Sequence, residues 1–148
     1  MAEEKYLKQY EKSAGGNYLL RSRGTLINCI TTTAARTLTQ EESGSYVFLD
    51  GGTTHDVTLP AVSVAGQYFK FICKDSTAVV NIVQAAATED FVGMLTDGVS
   101  TFDSAVGGDT KVIFATACLP GDYIECTSNG TNWFVNGECI TADAILFG

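Results

Sequence analysis

An all-β fold, an antiparallel β-sandwich or barrel of jelly-roll or tulip-like type, is predicted by three observations. The first is a hairpin signature: Tyr123-Ile124-Glu125-Cys126-Thr127 and Thr131-Asn132-Trp133-Phe134-Val135 alternate in polarity around Asn129-Gly130. Asn and Gly tolerate the positive φ that a two-residue type I′ turn demands. The second is a series of short alternating segments at the spacing expected of a sandwich. The third is composition: 15 Gly against 2 Pro, in a chain with many Thr, Val and Ile, suits a sheet protein with many turns. A chain of 148 residues is the size of one domain. Such a domain buries about 70% of its unfolded surface and needs neither disulfides nor metal to fold.

Taken in order, residues 3–12 can form a short helix, with Glu4 and Lys8 spaced i,i+4 and Tyr6, Leu7 and Tyr10 on a partly apolar stripe. Ser13-Ala14-Gly15-Gly16 ends it. A helix this short is marginal in water and needs a partner surface. Tyr18 to Thr33 reads as extended and Thr-rich, with 25–33 as a first or linker strand. The division expected is therefore an arm and linker strand over 1–36 and a β domain over 37–148. Strands are expected near 45–49, 55–59, 67–74, 77–84, 110–116, 121–127, 131–136 and 139–146. Asp50-Gly51-Gly52 and Lys74-Asp75-Ser76 read as reversals. Phe69, Phe71 and Cys73 should share one face, with Val80 and Ile82 pairing with it across the second reversal. Ile124 and Cys126 should likewise share a face. Residues 85–109, Ala-rich and then Gly-rich, read as a long irregular connection of the kind that often forms an interface.

The formal charge of −8 is divided unevenly. Residues 1–36 carry six basic side chains against three acidic ones, a balance of +3, whereas the remainder carries three lysines against fourteen acids, −11. The acidic body should repel nucleic acid and anionic membranes. The basic front end suits an acidic protein surface, including a neighbouring copy. No apolar run reaches the roughly 18 residues of a membrane-spanning helix. Met1 to Ser13 is polar and of mixed charge, unlike a secretory signal, so synthesis and retention in the cytoplasm until lysis is expected. The five cysteines, Cys29, Cys73, Cys118, Cys126 and Cys139, include no C-x-x-C pair and sit mostly in apolar segments, as small buried hydrophobes do.

Catalytic and metal chemistry finds little footing. His55 is the only histidine, and no Gly-x-Ser-x-Gly elbow accompanies it. It reads as an exposed residue at the start of a strand. Cys and His do not cluster at zinc spacing. Glu89 with Asp90, and Asp97, Asp103 and Asp109, could offer oxygen ligands to Ca²⁺ but do not match a calcium loop, and acidic pairs alone do not mark a glycosidase. Asn129-Gly130-Thr131 has the form of a glycosylation sequon but reads as a turn. Trp133 admits two readings, a sugar-stacking platform or a core anchor; its alternation with Val135 favours the anchor. No catalytic residue, cofactor or metal is expected.

Two segments read together carry a resemblance. Thr58-Leu59-Pro60 leads into a loop closed by Gly66 and the aromatic strand Tyr68-Phe69-Lys70-Phe71-Ile72; Gly121-Asp122-x-Ile124-x-x-x-Ser128-x-Gly130-x-x-Trp133-x-Val135 follows. Over about residues 45–137 this arrangement resembles small β domains of tailed-phage head decoration (cement) proteins and of virion appendage or fibre modules. The resemblance implies a structural virion protein on the capsid surface, made in the host cytoplasm. It would bridge capsomers by binding the major capsid protein, as a homo-oligomer and often a trimer. On that view the arm makes the contacts, through Tyr6, Tyr10, Arg21, Arg23 and Arg36, while Trp133, Phe69, Phe71 and Ile124 form the core. The alternatives are a head- or tail-fibre module that binds a host receptor or glycan, and a non-viral carbohydrate-binding module using Trp133 and Tyr123.

Overall fold

The structure, a computed structural model, describes residues 27–86, 88–98, 102–106 and 108–148. Twelve strands run through them: β1 Cys29–Thr32, β2 Arg36–Thr37, β3 Ser45–Asp50, β4 His55–Thr58, β5 Tyr68–Asp75, β6 Val80–Val83, β7 Phe91–Asp97, β8 Phe102–Val106, β9 Lys111–Phe114, β10 Tyr123–Ser128, β11 Trp133–Cys139 and β12 Ile145–Phe147. One sheet has seven strands in the order β1-β3-β5-β10-β11-β7-β8, the other five in the order β12-β9-β6-β4-β2. Buried residues of both sheets join in one apolar core, a β-sandwich-like arrangement. The expected helix over 3–12 and most of the arm lie outside the described residues. Residues 27–37 are part of the body, because β1 and β2 each extend one of the two sheets.

Both sheets are mixed, where antiparallel pairing was expected. The first six strands alternate between sheets, so that β1, β3 and β5 are parallel neighbours in one and β2, β4 and β6 in the other. The chain thus winds three flat coils. Parallel strands need a crossover connection, usually a helix; here a strand of the opposite sheet serves. Asp50-Gly51-Gly52 and Lys74-Asp75-Ser76 are therefore corners that carry the chain across the sandwich. The two corners stack, with Gly51 N donating to Asp75 O at 2.8 Å and the Thr77 hydroxyl to Gly51 O at 3.0 Å. Val80 and Ile82 accordingly do not pair with β5; they enter the shared core from the other sheet.

Alternation explains which faces turn inward. In β5 the buried positions are Phe69, Phe71 and Cys73, and in β10 Ile124, Cys126 and Ser128. One inner row crosses six strands as Ile30, Val47, Phe71, Ile124, Gly137 and Leu95. Trp133, Phe69, Phe71 and Ile124 are wholly buried, and the Trp133 ring stands 6.1 Å from that of Phe69. Burying each such side chain stabilises the fold by about 1.5–3 kcal/mol.

Three further expectations change. Residues 85–109 are not an irregular connection, for β7 and β8 occupy much of the span, and β7 lies parallel to β11. The Ala and Gly content concealed the alternation of Phe91, Val92, Met94 and Leu95. The β10–β11 turn is longer than two residues, since Ser128 pairs with Trp133. Asn129 has no positive φ; its Oδ1 accepts hydrogen bonds from the N–H groups of Thr131 and Asn132 at 2.9 and 2.8 Å, and only Gly130 is left-handed, at φ 94°. His55 starts β4 but is buried: Nδ1 lies 2.8 Å from Thr53 O and Nε2 3.4 Å from the Thr32 hydroxyl.

The two segments that carry the resemblance come together. Antiparallel pairing joins Tyr68–Ile72 to Tyr123–Thr127, and the Ser128 hydroxyl donates to Val64 O at 2.7 Å while Gly66 N donates to Ser128 O at 2.8 Å.

Candidate binding face

The residues that alternate with the core of the seven-stranded sheet form its outward face, which is unusually aromatic. Strand β3 presents Tyr46 and Phe48, β5 Tyr68, Lys70 and Ile72, β10 Tyr123 and Glu125, β11 Phe134, Asn136 and Glu138, and β7 Val92 and Met94. Every tyrosine among the described residues, Tyr46, Tyr68 and Tyr123, lies here. Registers align the residues in rows: Tyr46, Lys70, Glu125, Asn136, Met94; then Phe48, Ile72, Tyr123, Glu138; then Tyr68, Thr127, Phe134, Val92. Phe134 and Met94 are 43% and 47% exposed, so this apolar surface meets solvent.

Lys70 organises the centre. Its Nζ lies 3.9 Å from the Tyr123 ring centroid and 5.7 Å from that of Tyr46, and donates to Glu125 Oε1 at 3.0 Å. A cation over an aromatic face gains about 0.5–2 kcal/mol, the more so as water is excluded. Partial burial pulls the ammonium pKa down, but the hydrogen bond and charge of Glu125 outweigh it and the net direction is up. Tyr68 is pushed up to about 12, first by burial and then by the charge and hydrogen bond of Glu125. Glu125 thus receives both the Lys70 ammonium and the Tyr68 hydroxyl. At the rim, Lys74 Nζ donates to Asp50 Oδ2 at 2.8 Å, a bond that is the main cause of the lowered Asp50 pKa. Paired charges leave a nearly neutral aromatic patch on a body that is strongly acidic.

A cleft of about 530 Å³ adjoins this face, with Tyr123 and Glu138 belonging to both. Thr96, Asp97, Asp122, Cys139 and Ile140 also line it. Asp122 is structural: its oxygens accept from Leu119 N at 2.8 Å and Ile140 N at 3.0 Å, tying the loop before β10 to the end of β11.

The other residues singled out from the sequence are dispersed. Tyr6, Tyr10, Arg21 and Arg23 lie outside the described residues; Arg36 stands in β2 and pairs with Glu42. Glu89 is buried and accepts from Val62 N at 3.1 Å and Ala85 N at 3.3 Å, while Asp90 accepts from Gly108 N at 3.1 Å. Asp97 is at the cleft, Asp103 in β8, and the Asp109 carbonyl accepts from Phe91 N. Among the described residues no three or more His, Cys, Asp or Glu side chains gather closely enough to hold a metal ion. Trp133, at 0% exposure, cannot be a sugar platform. Sequence reasoning missed the face because its residues come from five strands that only the registers bring together; the signal it does leave is the outward half of each strand's alternation. No protein-family model matches the chain, and comparison with curated proteins finds no match.

Proposed function

We propose that the protein is a structural subunit of a tailed-phage virion, a decoration or cement protein that acts by binding. It sits on the capsid surface and bridges neighbouring copies of the major capsid protein as a homo-oligomer, most simply a trimer. The observation that carries this reading is the outward aromatic face around the Lys70–Glu125 pair. Aromatic residues and Met are enriched at protein interfaces, and unpaired charges are depleted from their centres. Tyrosines on a rigid sheet bury much area for little loss of side-chain freedom. The −11 balance of residues 37–148 disfavours nucleic acid as the ligand.

Co-sedimentation with empty expanded shells tests it. Tyr123→Ala with Phe134→Asp should lower occupancy at least tenfold while circular dichroism stays unchanged. A chain beginning at residue 27 measures the share of the basic arm, with Arg21 and Arg23, separately. Wild-type occupancy in both variants would reject the reading.

A receptor- or glycan-binding fibre module is the second reading, favoured by the three tyrosines on one sheet face. Lys70 covers the Tyr123 ring and so competes with a sugar for it, which ranks protein above glycan as the partner. Retention on immobilised glycans, lost in Tyr46→Ala, would reverse that ranking.

A further inference from the structure

The dipeptide Asn-Gly occurs at 129–130 and again at 136–137, and the fold puts the two copies in opposite surroundings. Asn129 and Gly130 lie in the turn between β10 and β11, and Asn129 is exposed. Its Oδ1 accepts from Thr131 N at 2.9 Å and from Asn132 N at 2.8 Å, the pattern of an Asx turn. Both donors lie beyond residue 130, so the carboxamide is folded forward along the chain, on the side of the Gly130 nitrogen. The Gly130 N–H has no hydrogen-bond partner among the described residues, and glycine brings no Cβ to obstruct an approach. The turn is firmly mounted: Asn129 N donates to Asn132 O at 3.2 Å, the Ser128 hydroxyl donates to Val64 O at 2.7 Å, and Gly130 faces Ala65. Asn136 and Gly137 instead lie inside β11, between β10 and β7. Asn136 stands opposite Glu125 and Met94, and Gly137 opposite Ile124 and Leu95. Gly137 is buried, and a Cβ there would lie 2.6 Å from both Ile124 Cγ2 and Tyr123 O.

We propose that Asn129 is a modification site at which the folded chain converts its own side-chain amide to an acid, with water as the co-reactant, while the sheet keeps Asn136 inert. Hydroxide from solvent takes the Gly130 amide proton, and the nitrogen attacks Asn129 Cγ to close a five-membered succinimide. The bond from Cγ to Nδ2 breaks, and the leaving nitrogen takes a proton from water and departs as ammonia. Water then opens the ring at either carbonyl. Opening at Cγ leaves an ordinary aspartate, and opening at the backbone carbonyl leaves isoaspartate, whose main chain runs through Cβ and Cγ. One water is consumed and one ammonia released, with no oxidation or reduction. The N–H groups of Thr131 and Asn132 promote the attack, because they point at the oxygen on which negative charge develops, as donors of an oxyanion hole do. Holding the carboxamide beside the nucleophile removes part of the entropic cost of closing the ring. At Asn136 the same attack requires β11 to open from both of its neighbours, a rare event at the centre of a sheet. Either product puts a new carboxylate in the turn that packs on the loop before β5, and isoaspartate also lengthens the hairpin by a methylene. The inference does not depend on what the outward face binds.

The test incubates the full wild-type chain in mildly alkaline, reducing buffer, one portion folded and one unfolded in guanidinium chloride. Samples taken over days are cut with chymotrypsin at Trp133 and Phe134, which separates the two Asn-Gly dipeptides. Mass spectrometry then follows the amide-to-acid mass change at each, and enzymatic methylation of isoaspartate identifies the product. In the unfolded portion the two sites should react at similar rates. In the folded portion Asn129 should react at least as fast as it does unfolded, while Asn136 should react at least tenfold more slowly than Asn129, because only the second must wait for the strand to open. The folded Asn129 peptide should also contain isoaspartate. Because the comparison lies within one wild-type protein, no variant has to fold. Asn129 reacting tenfold more slowly folded than unfolded would mean that the turn protects it, and equal rates at the two sites in the folded chain would mean that the sheet makes no distinction; either result would overturn the proposal.

Discussion

Gly93 in β7 lies directly opposite Val135 in β11, and a Cβ on residue 93 would come within 1.8 Å of the Val135 carbonyl oxygen. Only glycine fits between these two parallel strands. Gly93→Ala must therefore displace backbone in the middle of the seven-stranded sheet, and should cost about 2–4 kcal/mol in urea unfolding. Gly121→Ala is the comparison. Residue 121 has a left-handed φ, 106°, but nothing lies within 4 Å of its added Cβ. Its cost should be limited to the conformational term of about 1–2 kcal/mol.

Trp133 supplies the second prediction. It is the single tryptophan, wholly buried against Phe69. Trp133→Ala should cost about 3–5 kcal/mol through lost burial and the cavity left behind. The indole N–H has no hydrogen-bond partner among the described residues, so Trp133→Phe loses volume without losing a bond and should cost about 1–2 kcal/mol. Equal losses in both variants would mean that the indole nitrogen contributes after all.

Tyr68 gives a pH dependence. Its folded pKa, about 12, lies above the ordinary 10 because burial and the neighbouring Glu125 disfavour the phenolate. The folded state therefore holds the proton more tightly than the unfolded chain. This contribution to stability is complete below pH 10 and is lost as pH rises from 10 towards 12. Tyrosinate absorbance should show a late-titrating component in the folded protein that disappears in Tyr68→Phe. A titration identical in the two proteins would contradict the contact with Glu125.

What was legible in the sequence follows from range. Alternation is local, so β3, β4, β5, β10 and β11, and the burial of Phe69, Phe71, Ile124 and Cys126, could be read from neighbouring residues. Whether a strand turns back beside its predecessor or crosses to the other sheet depends on distant partners. Asp50-Gly51-Gly52 serves either purpose, so the coiled path of β1–β6 was not legible. Strand β7 was obscured because Gly93 breaks the alternation at the point where Val135 leaves no room for a side chain. Of the candidate face only Tyr68, Lys70 and Ile72 were legible, as the half of β5 that alternates with Phe69, Phe71 and Cys73; registers such as Tyr46–Lys70 and Lys70–Glu125 assemble the surface from strands distant in sequence.

The last prediction separates a docking face from ordinary surface decoration. In the free protein the Lys70 and Glu125 side chains are 20% and 40% exposed, and such pairs contribute about 1 kcal/mol or less to stability, falling with salt. Lys70→Met keeps the stem that packs along the sheet and removes only the charge, so its melting midpoint should move little. Docking would desolvate the pair and the rings beside it, and truncating one member of a buried, hydrogen-bonded charge pair costs an interface about 2–5 kcal/mol. Lys70→Met should therefore weaken shell binding by about 30-fold or more while leaving the fold nearly as stable as before. Glu125→Gln, which keeps an acceptor for the Tyr68 hydroxyl, should fall between wild type and Lys70→Met. The opposite pattern, a large loss of stability with unchanged occupancy on shells, would assign the Lys70 network to the fold alone and move the docking site off this sheet.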